Sequence, residues 1–247
     1  MTYCVAMKMD RGLVFMSDTR TNAGVDNIST MRKMFTWNVP GERSLVLLSA
    51  GNLATTQAVV SLLEERSKAP KDRQPTILGT ASIFQTAKLV GDTLKEVIAS
   101  TAQGGQRAEA TFNATFILGG QIAGGEPRLF LIYPEGNFIE TGDETPFFQI
   151  GEHKYGRPII VRAYDPKMTF AAAAKLLMVS FDSTLKANLS VGMPLDLQFY
   201  ERDSFALPPR IRFTADDPWY QQISRGWSEA LRDAFTHLPD LPAGGPS

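Results

Sequence analysis

The order in which extended and helical segments follow one another constrains this chain more than any other feature. Strands come first, then two helices, strands again, two more helices, strands and a last helix. Residues Thr2–Lys8 alternate, with Thr2, Cys4, Ala6 and Lys8 on one side and Tyr3, Val5 and Met7 on the other. Asp10-Arg11-Gly12 leads back into Leu13–Asp18, and a three-residue connection with Gly12 left-handed suits this hairpin. Strands are expected at about Met31–Trp37 and Ser44–Ala50, joined through Asn38-Val39-Pro40-Gly41. Gly51-Asn52 ends the second of these and caps a helix over roughly Leu53–Lys68. The next helix repeats Ile83, Ala87, Val90, Leu94, Val97 and Ile98 on one face. In the second half, Ala110–Leu118 alternates as a strand ending at Gly119-Gly120. Arg128–Tyr133 and Asn137–Glu140 form a hairpin across Pro134-Glu135-Gly136, and Pro146–Ile150 is a short strand ending at Gly151. Helices follow at about Arg157–Ala163 and Thr169–Ser183, then strands at Pro194–Glu201 and Arg210–Phe213. Asp216-Asp217-Pro218 opens the last helix, which runs to about His237.

Antiparallel hairpins dominate and no βαβ unit occurs. Helices can then cover the outer faces of two stacked antiparallel sheets, which makes the expected class α+β, a four-layer α/β/β/α sandwich. No linker or repeat divides the 247 residues, so a single domain over 1–247 is expected, with a loose Pro- and Gly-rich tail from about Pro239. A chain of this size buries enough surface to fold without disulfides or metal. Its formal net charge is −1, which argues against a nucleic-acid footprint. One cysteine, Cys4, excludes a disulfide framework within the chain and a thiolate zinc site. Two histidines, His153 and His237, make a poor metal cage. No run of apolar residues approaches a membrane span, and the first residues lack the pattern of a signal peptide, so a cytoplasmic protein is expected.

The familiar catalytic motifs are missing. There is no P-loop, no GxGxxG after a strand, no HExxH, CxxC or GxSxG, and the Gly104-Gly105, Gly119-Gly120 and Gly124-Gly125 pairs read as turn chemistry. Chemistry is left to the start of the chain. Removal of Met1 would give Thr2 both a hydroxyl and a free α-amine. The hydroxyl needs a base, and an α-amine with a reference pKa of about 7.7–8.0 lies within reach of it. A threonine at position 2 is common, so the neighbours decide its meaning. With Asp10-Arg11-Gly12 as the loop, Met9 opposes Leu13, Thr2 faces Arg20, and Asp18 faces Cys4, diagonal to Thr2 on one face. A two-residue loop would turn Asp18 to the other face. Lys33, in the third strand, would supply an ammonium that favours the Thr2 alkoxide and lowers the amine's pKa, with Asp18 holding it. The same pair on a solvated sheet would be an ordinary ion pair. Gly51, between strand and helix, is either a turn glycine or the donor of an oxyanion N–H.

Thr2 after Met1, Ser17-Asp18-Thr19-Arg20-Thr21, Lys33, Ser49-Ala50-Gly51-Asn52 and the layered order resemble proteasome-type β-subunits of the Ntn-hydrolase superfamily. The opening Thr2-Tyr3-Cys4-Val5-Ala6, the stretch Ile150 to Ile159, and Asp182-Ser183-Thr184 through Asn188-Leu189-Ser190-Val191-Gly192 are similar to the Anbu family, the bacterial ancestral β-subunits. The likeness runs to about Tyr200. It implies a threonine-type peptidase or amide hydrolase. Thr2 matches the nucleophile and base, Asp18 and Lys33 the charged pair, Gly51 the oxyanion glycine, and Ser190 a serine near the N-terminal amine. Arg20 would brace Asp18 or the Thr2 strand. No metal or organic cofactor is implied. The implied partners are peptide or amide substrates and further copies of the chain, in a ring or an open helical ring; an ATPase partner is left open. The chain departs from the proteasome pattern in placing His153 where a serine is usual and Ala187 or Asn188 where an aspartate is usual. Two other functions remain: a small-molecule amidase of the same fold, and a catalytically silent ring subunit, which a retained Met1 would favour.

Overall fold

A computed structural model describes residues 2–22, 28–68, 75–102 and 112–241. Met1, the first two residues of the expected Ala110–Leu118 strand, Gly104-Gly105 and the end of the tail lie outside the described residues. The first half comprises β1 (Tyr3–Met9), β2 (Gly12–Asp18), β3 (Arg20–Asn22), β4 (Ile28–Thr30), β5 (Met34–Val39), β6 (Arg43–Gly51), α1 (Leu53–Lys68) and α2 (Ile83–Ala102). The second comprises β7 (Ala114–Ile122), β8 (Arg128–Ile132), β9 (Phe138–Glu140), β10 (Phe147–Gly151), α3 (Arg157–Ala163), α4 (Phe170–Ala187), β11 (Leu195–Glu201), β12 (Ile211–Phe213) and α5 (Pro218–Thr236).

Two five-stranded sheets form, ordered β10-β1-β2-β11-β12 and β5-β6-β7-β8-β9, with β3-β4 as a separate pair. Every pairing is antiparallel. The alternation along β1 sorts its side chains into two cores. Cys4 and Ala6 meet Phe15, Val46, Leu48 and Ile117 between the sheets. Tyr3, Val5 and Met7 face the other way, against Ile160, Leu177 and Phe181 of α3 and α4. On the far side, Val59 and Leu63 of α1 and Val90 and Leu94 of α2 pack on Leu45, Leu47 and Phe116. The four-layer α/β/β/α sandwich is therefore the fold. Asp217 caps α5 by accepting from the amides of Trp219 and Tyr220 at 2.9 and 3.0 Å, with Pro218 in the first turn.

Three local expectations are corrected. Gly12 pairs with Met9 inside the ladder, so the first hairpin closes on the two residues Asp10 and Arg11. Cys4 then opposes Ser17 rather than Asp18. Gly12 can take this place because its φ is +145°, and a Cβ there would sit 2.0 Å from the Tyr200 carbonyl oxygen. Second, the third strand is later and shorter than expected: Lys33 precedes β5, after the unforeseen β3-β4 hairpin. Third, Gly119 and Gly120 do not end β7 but lie within it. A Cβ on Gly119 would come within 2.6 Å of the Phe15 ring, so glycine there lets the two sheets approach.

Candidate active site

Thr2 leads directly into β1, between β2 and β10. Its carbonyl oxygen accepts from the Glu152 amide at 2.6 Å. Gly151, the last residue of β10, lies against it with φ +80°, and a Cβ there would fall 2.0 Å from that same oxygen. Only glycine lets the two backbones come this close, so β10 fixes the direction in which Thr2 leaves the sheet.

Asp18 ends β2, fully buried. Its Oδ1 accepts from the Tyr3 amide at 3.0 Å and from Lys33 Nζ at 2.7 Å, while Oδ2 accepts from the Gly192 amide at 3.3 Å. The shifted register thus does not remove Asp18 from the site. At the end of a strand the carboxylate reaches its neighbour's backbone N–H, and face parity no longer governs it. Lys33 is also buried, and its ammonium donates a second bond to the Arg20 carbonyl at 2.6 Å. Its own carbonyl accepts from the Ser49 amide at 2.9 Å, which ties it to β6 just ahead of β5. Burial pushes the Asp18 carboxyl above its ordinary value; the Lys33 ammonium and the Tyr3 and Gly192 amides pull against that rise. A buried ion pair carries a large desolvation cost and contributes little net stability. Such a pair beside a cavity points to chemistry.

The cavity is about 480 Å³, and Thr2, Lys33 and Gly51 share its wall. Gly51 has φ +111°, and a Cβ there would meet the Asn113 carbonyl oxygen at 2.3 Å. Its backbone therefore forms the wall where β6 gives way to α1. Asp18 stands behind Lys33. A larger apolar cavity of about 580 Å³, lined by Ile159, Leu176 and Trp227 among others, lies between α3, α4 and α5 and holds none of these groups.

Ser190 is not on the wall of the Thr2 cavity. It lies in the turn after α4, where its amide donates to Asn188 Oδ1 at 2.9 Å. That turn is nonetheless bound to the site. Arg20 does not brace Asp18; its guanidinium donates to the Leu189 carbonyl at 2.9 Å and lies against Gly192. Glu152 adds a link that the sequence reading missed. Its Oε2 accepts from Asn188 Nδ2 at 2.7 Å, and its Oε1 from the His153 and Lys154 amides at 2.9 and 2.8 Å. Burial would raise its carboxyl, but the Lys154 amide, Asn188 and the His153 amide outweigh it and hold the value low. The run Ile150-Gly151-Glu152 was the available signal. His153 is exposed, its Nδ1 3.3 Å from the Gly151 carbonyl. Cys4, the nearest alternative nucleophile in sequence, is sealed between the sheets with Sγ 3.7 Å from the Ser49 carbonyl. Burial, followed by the Asp18 charge, pushes its thiol up, which keeps the sulfur protonated.

Among the described residues no group of three or more His, Cys, Asp or Glu is placed to hold a metal ion, and no helix is long and apolar enough to cross a membrane. The proteasome subunit family matches residues 2–195. No curated protein matches the chain. Solved structures do. Anbu from Hyphomicrobium sp. strain MC1 is 52% identical, with 98% of this chain and 100% of that chain covered and a TM-score of 0.90. Anbu, the ancestral beta-subunit, from Yersinia bercovieri is 49% identical over 97% of this chain and 99% of that chain, with a TM-score of 0.91. The Anbu complex from Pseudomonas aeruginosa, a helical assembly, is 47% identical over 98% and 99%, with a TM-score of 0.90. The chain belongs to the Anbu family of proteasome-type subunits.

Proposed function

We propose that Thr2, freed by removal of Met1, is the nucleophile of a hydrolase of peptide or amide bonds that works as one subunit of a homo-oligomer. One observation carries the reading: the Lys33 ammonium, backed by Asp18, shares a cavity wall with Thr2 and Gly51. Thr2 Oγ attacks the carbonyl carbon of the scissile amide, and its proton passes to the Thr2 α-amine. Lys33 stabilises the oxygen as it gains negative charge. The carbonyl oxygen becomes an oxyanion beside the Gly51 backbone N–H. The C–N bond then breaks, the ammonium of Thr2 returns its proton to the leaving nitrogen, and an ester remains on Oγ. Water, deprotonated by the same amine, hydrolyses that ester and restores Thr2. The Ser190 turn, tied to Asp18 through Gly192 and to β10 through Asn188 and Glu152, is a positioning device for the amine's surroundings. The helical assembly of the Pseudomonas aeruginosa relative supports an open or helical ring for this chain too.

The test is covalent capture by a peptide β-lactone, read by intact mass, on the Met1-trimmed protein, on Thr2→Ala and on a form that keeps Met1. An adduct is expected on the trimmed wild type alone. Equal adducts on all three would defeat Thr2 as nucleophile. No adduct on the trimmed protein would leave the non-catalytic ring subunit. Cleavage of simple amides without cleavage of peptides would make the protein a small-molecule amidase.

A further inference from the structure

The cavity beside Thr2 is electrostatically one-sided. Among the described residues, Arg20, Arg32 and Lys33 stand on its wall, and no Asp or Glu does. Lys33 is matched by Asp18 at 2.7 Å. Arg20 donates to a carbonyl oxygen, which orients it, and no described residue compensates its charge. Arg32 is exposed and makes no hydrogen bond or ion pair with any described residue. Among the described residues, the cation Arg210 is close enough to feel its charge. Burial lowers the Arg210 guanidinium from its ordinary value, Asp196 works against this, and Arg32 and Arg212 reinforce it. The start of α1 adds to the same sign, because Asn52, Leu53 and Thr56 line the cavity and a helix N-terminus carries positive partial charge. Among the described residues, Leu53 and Ala50 are the aliphatic side chains on its wall. A large hydrophobic side chain would take water from the guanidinium groups and offer their remaining N–H donors no acceptor. A carboxylate would satisfy them, and Arg pairs with carboxylate in a two-pronged, charge-assisted geometry.

Resting on the Thr2 reading above, we propose that this cavity receives an acidic side chain, that of the substrate residue whose carbonyl Thr2 attacks, and that Arg32 is its specificity-determining partner. The chemistry of bond breaking is unchanged. Arg32 acts on which acyl group is presented, not on the transfer of the proton.

The experiment uses the assembled, Met1-trimmed protein and two peptide epoxyketones identical except for Glu or Gln at the residue bearing the warhead. Neither reagent has a terminal carboxylate, so a difference between them reports the side chain alone. The rate of adduct formation is followed by intact mass. The Glu reagent is expected to label wild type about tenfold faster than the Gln reagent, as a charge-assisted pair exceeds a neutral one. The ratio should fall towards one in Arg32→Gln, recover in part in Arg32→Lys, and shrink as salt is raised. Equal rates in wild type, or an unchanged ratio in Arg32→Gln, would overturn the proposal. Loss of labelling by both reagents in Arg32→Gln would overturn it too, because Arg32 would then serve the nucleophile rather than selection. Failure of both reagents on trimmed wild type would instead defeat the Thr2 reading, and the acid preference with it.

Discussion

Lys33 and Asp18 are the residues where stability and chemistry pull apart. Removing the cation alone leaves a fully buried carboxylate without its partner, so Lys33→Ala should lose about 3–5 kcal/mol of stability at neutral pH. The double variant Lys33→Met with Asp18→Asn buries no charge and should regain most of that loss in urea unfolding. Its rate of capture by a β-lactone should still fall about 10²–10³-fold, the usual cost of deleting one electrostatic stabiliser. Recovery of both stability and rate in the double variant would make the pair structural. Gly151 offers a second test at this scale. Gly151→Ala forces a side chain into φ +80° and onto the Thr2 carbonyl. The strain alone is about 1–2 kcal/mol, and displacement of Thr2 should slow capture more than it lowers the melting temperature.

Between elements, Glu152 couples the end of β10 to the turn after α4. Its folded carboxyl titrates below the ordinary value of 4.5, so its contribution is complete above that pH and is lost as pH falls through the folded value. Glu152→Gln should therefore cost about 1.5–3 kcal/mol at pH 7, as a charged acceptor is lost to Asn188 and two amides. The gap to wild type should close as the pH is lowered below about 4.5. A gap that stayed constant down to pH 3 would show that the charge is not what matters. Gly119→Ala tests the approach of the two sheets. It should cost about 1–3 kcal/mol by overpacking against Phe15, a drop of about 2–4 °C per kcal/mol. The periodic parts of these elements were legible in the chain: α2 and the alternation of β1 follow directly from where their apolar residues fall. The β1–β2 register was not, because it turned on whether Gly12 stood in the loop or in the ladder, and φ is not written in residue type. Lys33 could be picked out, but not its place outside the strand, which depends on contacts with Ser49 and with the Arg20 carbonyl. Glu152 and Asn188 are separated by 36 positions, and no local spacing announces their bond.

At the scale of the molecule, α5 lies on the outside with none of its residues fully buried. Leu231 and Phe235, one turn apart on it, are 50 and 75% exposed, and Leu238, just past its end, is 63% exposed. In an assembled protein such a stripe is expected to be covered. The native mass by light scattering should be several times that of one chain, and Leu231→Glu with Phe235→Glu should shift it downwards. Burial of each side chain is worth about 1.5–3 kcal/mol, so the pair should weaken association by about 10²–10⁴-fold. An unchanged mass would put the contact elsewhere. The sealing of Cys4 between the sheets makes these questions accessible to spectroscopy. Cys4 is the sole thiol in the sequence, and maleimide dyes should find no reactive sulfur in the native protein. A cysteine introduced at an exposed position of α5, such as Glu229→Cys, would therefore carry the only fluorophore on each copy. Donor- and acceptor-labelled populations, once mixed, would then report in real time how quickly copies trade places.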